Sequence, residues 1–290
     1  MTCRITDEHK ASFERDGVVH VPGAVSPEWV ARMTSVIDRQ MAAPSNWAND
    51  VNAGNRVDRF FTDRYQWRDN PDIRAYIFET DLAAMAGALM GASTVRFYFD
   101  HMLVKEPGTV APTPWHQDLP YWPFLGRQVC SAWVALTPCD VSTSAMEFVR
   151  GSHAWGRYFK PEIFGDDDAN PNQWQKDAQA EGEAMPDIEA ERAAYDIIGF
   201  SVQPGDALVF SAWTLHGARG NASADQRRMA ISTRWLGDDA TWYPHAGADP
   251  TVTQADVSIA PGEPARDDDR FPVVWAAGGC GTHQGAPGPD

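Results

Sequence analysis

Two short segments of this 290-residue chain hold the residue types that a reactive metal needs. The first is Thr113-Pro114-Trp115-His116-Gln117-Asp118-Leu119-Pro120-Tyr121-Trp122. In a strand or extended turn, residues i and i+2 project to one side, so His116 and Asp118 can offer a nitrogen and an oxygen to one ion. The pair means little alone: with 8 His in the chain, a His-x-Asp arises about once by chance. The second segment runs from Gly205-Asp206 through Ala207-Leu208-Val209-Phe210 to His216-Gly217-Ala218 and on to Arg227-Arg228. It reads as a turn, a buried strand ended by a histidine, and an arginine opening the next strand about one hairpin later. Two imidazoles and a carboxylate on one face of a metal leave the opposite positions open, which is the ligand set of iron(II) oxygenases. An arginine beyond the second histidine supplies a forked donor for the far carboxylate of a chelating 2-oxo acid. The candidates are therefore His116, Asp118 and His216 for Fe(II), with 2-oxoglutarate and O2 as cosubstrates.

The rest of the chain must position these groups. Thr6 caps a short helix towards Arg15, and Gly17 stops it before the apolar run Val18-Val19-His20-Val21. Ser26-Pro27-Glu28 opens a second helix, with Val30, Met33, Ile37 and Met41 at helical spacing. Asn70-Pro71-Asp72 opens a further helical region carrying Ile73, Ile77, Leu82, Met85 and Leu89 before Gly91. From about residue 94 the texture changes to short runs of β-branched and aromatic residues bounded by Pro, Gly and Asp. Strands are expected near 95–105, 129–137, 145–149, 197–203, 206–211 and 228–236, with the helices packed outside a sheet. One domain is expected over 1–277. Within it, residues 162–196 carry eleven Asp or Glu against Lys176 and Arg192, an acidic insertion that reads as a solvated loop, with a lid over a cleft as the functional alternative. The Gly- and Pro-rich end, 278–290, reads as a flexible tail.

These segments resemble the phytanoyl-CoA dioxygenase-like branch of the iron(II)/2-oxoglutarate oxygenases, from roughly Ala11 to Asp239. The likeness is carried by Phe13-Glu14-Arg15-Asp16-Gly17-Val18-Val19, Lys105-Glu106-Pro107-Gly108, Trp115-His116-Gln117-Asp118, the run Met146 to His153, and Gly205-Asp206 through His216-Gly217 to Asn221. It implies a mainly β fold with flanking helices around a double-stranded β-helix (jelly-roll) core. His116, Asp118 and His216 would be the iron ligands, and Trp133 would line the cofactor pocket. The chain departs from the pattern at Ser144, where a small glycine is common, and at Arg150, where a proline is. It departs again at Ala218, where relatives have a serine that helps to hold 2-oxoglutarate. The usual spacing from the distal histidine selects Arg227, whereas strand alternation selects Arg228. In that alternation Arg228, Ala230, Ser232 and Arg234 share one face and Met229, Ile231, Thr233 and Trp235 the other. The alternation is preferred, which favours Arg228.

Composition bounds the partners. A net charge of -16 and a pI near 4.8 repel phosphate backbones and anionic lipid, so neither nucleic acid nor membrane is an expected partner. Cys3, Cys130, Cys139 and Cys280 show no paired metal spacing and no disulfide density, and no apolar leader opens the chain, so a cytoplasmic location is expected. His153 reads as part of a hydrogen-bonded turn after Gly151 and not as a ligand. Tyr121 and Trp122 are candidate substrate contacts, with packing an equal alternative. The expected reaction is hydroxylation of an unactivated C–H bond in a small-molecule metabolite, with release of succinate and CO2. Desaturation, epoxidation or ring formation by the same oxidant, or a non-catalytic binding protein on this fold, are the alternatives. Because the acidic stretch would repel the phosphates of coenzyme A if it covers the cleft, the expected substrate is a free small molecule, neutral or cationic.

Overall fold

The computed structural model describes residues 4–161 and 181–278. In chain order the elements are α1 (Asp7–Asp16), β1 (Val18–Val21), α2 (Pro27–Ala42), β2 (Asn49–Val51), β3 (Phe60–Arg64), α3 (Pro71–Glu79), α4 (Leu82–Met90), β4 (Thr94–Lys105) and β5 (Thr113–His116). There follow β6 (Phe124–Leu125), β7 (Val129–Ala135), β8 (Met146–Val149), β9 (Ile197–Gly199), β10 (Ala207–Ser211), β11 (His216–Ala218), β12 (Arg228–Leu236), β13 (Thr241–Trp242) and β14 (Val273–Ala276). The helix signals hold. The Thr6 hydroxyl accepts from the His9 N–H, Gly17 closes α1 at φ 78°, Ser26 caps α2, and Asn70 caps α3. The region after Asn70 divides into two helices at Thr80, whose hydroxyl bonds back to the Tyr76 carbonyl at 2.7 Å.

The strands form a major antiparallel sheet in the order β1-β10-β7-β12-β4-β3-β2, with β14 joined to β4, and a minor sheet in the order β5-β11-β8-β9. These are the two faces of a double-stranded β-helix. Alternation along the major strands separates two cores. Ala207, Val209, Ala132, Val134, Met229 and Ile231 face the helices, while Leu208, Phe210, Trp133, Ala135 and Ala230 face Met146 and Phe148 of the minor sheet. Both faces are therefore buried, which is why these segments read as near-continuous apolar runs.

Several strands lay outside the expected set. β2, β3 and β14 were not anticipated, and neither were β5 and β11, which carry the two histidines. The expected strand 197–203 shortens to β9, followed by a single bridge between Cys139 and Val202. His216 does not end β10: the chain turns through Ala212–Leu215 and crosses to the minor sheet, where His216 opens β11. Of the acidic stretch, 162–180 lies outside the described residues, as does the expected tail from 279 on. In the described part, Ile188 is buried with Val149, Phe159 and Leu215, and Glu189 accepts from the Trp115 indole. No helix among the described residues is long and apolar enough to cross a membrane.

Candidate active site

β5 and β11 pair antiparallel with His116 directly opposite His216, so the two imidazoles stand side by side with ring centroids 4.1 Å apart. Each ring is held by its own backbone: His116 Nδ1 lies 2.8 Å from the Pro114 carbonyl and His216 Nδ1 2.9 Å from the Thr214 carbonyl. A carbonyl only accepts, so both Nδ1 atoms carry hydrogen, which leaves the Nε2 atoms as the ones turned to the site. Asp118 sits just past the end of β5 in helical backbone, opening a short turn. Its Oδ1 comes 3.6 Å from His116 Nε2 and 3.7 Å from His216 Nε2, and its Oδ2 accepts a short hydrogen bond from the Ser131 hydroxyl on β7. Among the described residues these three are the cluster able to hold a metal, with ligand atoms all within 4.8 Å of one another and each residue buried. The donor set suits iron: two imidazole nitrogens with fixed rings and one oriented oxygen on one face.

The electrostatics agree. Burial by itself raises the Asp118 pKa, but Arg234, His216 and His116 outweigh it and hold the carboxyl well below its usual range. Burial, helped by the neighbouring His116, pushes His216 down to about 3, so its imidazole is neutral and available as a ligand at neutral pH.

The triad opens onto a cavity of about 120 Å³ between the sheets. Trp133, Arg228, Tyr121 and Trp122 all line it. Arg227 does not. It points the other way and clamps Glu106 with Nε at 3.0 Å and Nη2 at 2.5 Å, reaching Asp38 at 2.8 Å. Strand alternation thus separates the adjacent arginines, as expected for neighbours on a pleated strand. Arg228 is buried, donating from Nη1 to the Leu103 carbonyl at 3.1 Å and from Nη2 to the Ser144 hydroxyl at 3.4 Å, while its Nε has no hydrogen-bond partner. Ser144, one of the departures from the family pattern, occupies left-handed backbone at φ 72° and also donates to the Arg219 carbonyl. Its hydroxyl lies where a glycine would leave Arg228 one contact poorer. His153 stands apart from the metal cluster, with Nε2 at 3.1 Å from the Glu14 carbonyl.

Sequence reasoning passed over Ser131, His101, Arg64 with its partner Asp249, and Arg234. All but Ser131 line the cavity. Arg234 was legible in the alternation that singled out Arg228. Ser131 carried no local signal, because only sheet pairing brings it to Asp118.

Residues 13–229 match the family model for phytanoyl-CoA dioxygenase (PhyH). The chain is 30% identical over 244 residues to the multifunctional dioxygenase prhA of Penicillium brasilianum, covering 78% of this chain and 70% of that protein. It is 29% identical over 246 residues to the multifunctional dioxygenase ausE of Emericella nidulans, covering 78% and 72%. Among solved structures, the non-heme alpha ketoglutarate dependent carbocyclase SnoK from nogalamycin biosynthesis superposes with a TM-score of 0.70 at 24% identity, over 93% of this chain and 97% of that one. The epimerase SnoN in complex with Fe3+, alpha ketoglutarate and nogalamycin RO gives 0.68 at 25% identity, over 93% and 98%. A family model spanning most of the chain meets a facial triad assembled where such a β-helix would hold iron, and the chain accordingly belongs to the phytanoyl-CoA dioxygenase family as a non-haem Fe(II)/2-oxoglutarate-dependent dioxygenase.

Proposed function

We propose that the enzyme hydroxylates an unactivated C–H bond of a small-molecule metabolite, converting 2-oxoglutarate to succinate and CO2. When bound, iron supplies the activation of dioxygen and 2-oxoglutarate the electrons for it. The observation that carries this reading is the convergence of His116, Asp118 and His216 at the wall of a largely apolar cavity between the sheets that also holds a buried arginine with a free donor. Asp118 completes the ligand set with a carboxylate. With iron bound, that carboxylate would take up a ligand place that a halide would otherwise need, which favours oxygen transfer over halogenation.

The chain's own residues orient the reactants and exclude water. Arg228 would receive the distal carboxylate of 2-oxoglutarate, using the Nε that the protein leaves unpaired. Trp133, with its ring 5.9 Å from the Arg228 guanidinium carbon, would form the wall beside that carboxylate. Tyr121 and Trp122 stand on the triad side of the cavity, with the Tyr121 ring 5.6 Å from His116, and would meet the substrate.

A second reading is ring formation or epimerisation by the same oxidant, favoured by the likeness to SnoK and SnoN. A metabolite screen that couples substrate loss to succinate release, with iron and 2-oxoglutarate supplied, tests the activity. A product heavier by one oxygen supports hydroxylation, and a product lighter by two hydrogens or of equal mass supports the second reading. If 2-oxoglutarate neither binds nor turns over under any substrate, both readings fail.

A further inference from the structure

β12 carries a second arginine into the cavity. Arg234 is only 6% exposed, and its guanidinium lies between the rings of Phe99, at 5.1 Å, and Trp122, at 5.6 Å. Neither its Nε nor its Nη1 has a hydrogen-bond partner. A buried charged donor left unpaired is among the most costly features a fold can carry, and two aromatic faces offset only part of that cost.

The nearby acids are already committed. Asp118 turns one oxygen to the two histidines and the other to Ser131. Asp249 binds Arg64 at 2.7 Å and accepts from the Thr251 N–H at 2.9 Å. Asp100 accepts from the N–H groups of Gln66 and Trp67. The placement of Arg234 is built into the sheet. On β4 the register shifts so that Tyr98 and Phe99 together oppose Arg234, a bulge that seats the Phe99 ring against the guanidinium.

Arg234 is not a second grip on 2-oxoglutarate. Arg228 and Arg234 are six residues apart on one face of β12, about 20 Å between their Cα atoms at roughly 3.3 Å per residue, and their guanidiniums meet different stretches of β4, Leu103 for the first and Phe99 for the second. Arg228 is tied to Leu103 and Ser144 at one end of the cavity. Arg234 pairs in register with Ser131, the residue that holds Asp118, at the other. The charges in the cavity wall are Arg64, Arg228 and Arg234 against Asp118 and Asp249. The two charges of iron cancel the two of 2-oxoglutarate, which leaves one positive charge without a match.

We propose that Arg234 is the substrate anchor, and that the substrate has an apolar body bearing one carboxylate, which Arg234 grips beside the triad while Phe99, Tyr121 and Trp122 enclose the rest. This rests on the oxygenase reading above and narrows it. It also replaces the expectation of a neutral or cationic substrate, which rests on the acidic stretch 162–196. Exposed acids are screened beyond a Debye length of about 8 Å at physiological salt, whereas a buried guanidinium acts at contact with little screening.

The test uses the anaerobic enzyme loaded with Fe(II) and 2-oxoglutarate. Binding of benzoate, phenylacetate and 1-naphthoate is measured by calorimetry, each against its uncharged amide of the same shape. At least one acid is expected to bind tenfold or more tighter than its amide. Arg234→Gln should erase that preference, Arg234→Lys should keep part of it, and both should leave 2-oxoglutarate affinity within about threefold. Arg228→Gln should do the reverse, weakening 2-oxoglutarate and keeping the acid preference. Absence of an acid preference in every pair with the wild type, or its survival in a folded Arg234→Gln protein, overturns the proposal. Failure of 2-oxoglutarate itself to bind would instead strike the oxygenase reading on which it rests.

Discussion

Replacing Arg228 by Met and, separately, Arg227 by Met should move stability in opposite directions, while only the first weakens 2-oxoglutarate binding. Burial lowers the Arg228 pKa from the ordinary guanidinium range to about 10, so it stays charged at neutral pH at a cost of roughly 3 kcal/mol. Its bonds to the Leu103 carbonyl and the Ser144 hydroxyl return about 1 kcal/mol each. Ser144 keeps its bond to Arg219 without it. Without cosubstrate, Arg228→Met should therefore be neutral to about 2 kcal/mol more stable, a rise in Tm of up to about 6 °C. With cosubstrate the sign inverts. A forked charge-assisted contact to a carboxylate contributes about 3–5 kcal/mol, so 2-oxoglutarate affinity should fall between a hundredfold and a few thousandfold. Arg227 pairs with Glu106, whose side chain is 6% exposed, but is itself 35% exposed. After discounting for solvent screening, Arg227→Met should lose about 1–3 kcal/mol of stability and leave 2-oxoglutarate affinity unchanged. Thermal unfolding with and without 2-oxoglutarate reads one scale, and anaerobic titration of the visible absorption of the iron–2-oxoglutarate complex reads the other. The reasoning fails if Arg227→Met abolishes cosubstrate binding while Arg228→Met retains it.

Three further outcomes follow from the same geometry. Asp118→Ala should lose iron affinity by at least a hundredfold and with it all iron-dependent succinate release; full turnover in that variant would remove the metal assignment. Ser144→Gly should relieve left-handed backbone strain and raise stability by up to about 1 kcal/mol, yet weaken 2-oxoglutarate binding several-fold by loosening Arg228, a split that titration and thermal unfolding together would reveal. At Asp206 burial alone raises the pKa, but the Gln203 and Gly23 N–H groups and His20 outweigh it, so the carboxyl is depressed in the fold. A depressed carboxyl contributes stability above its unfolded pKa of about 3.9 and loses it as pH falls through the folded value. Asp206→Asn should therefore cost about 1–2 kcal/mol at neutral pH, with the difference from wild type shrinking below about pH 4 in urea titrations.

Much of this protein was readable along the chain because the signals involved are local. Caps at Thr6, Ser26 and Asn70 depend on neighbours within a turn, and alternation along β12 depends only on the pleat, so it separates Arg228 from Arg227 and puts Arg234 on the same face as the former. The pairing of His116 with His216 was foreseeable only as a spacing motif. Its geometry comes from β5 and β11, strands of four and three residues too short to announce themselves. Contacts between segments far apart in the chain had no signature at all: Ser131 beneath Asp118, Ser144 against Arg228, Asp249 on Arg64. The same holds for charge. A count over the whole chain describes an acidic protein, yet the cavity wall is cationic, because folding sorts residues by which side of a sheet they face and not by how many there are. Chemistry written as residue type and spacing survives in one dimension; the partner of a buried charge is chosen in three.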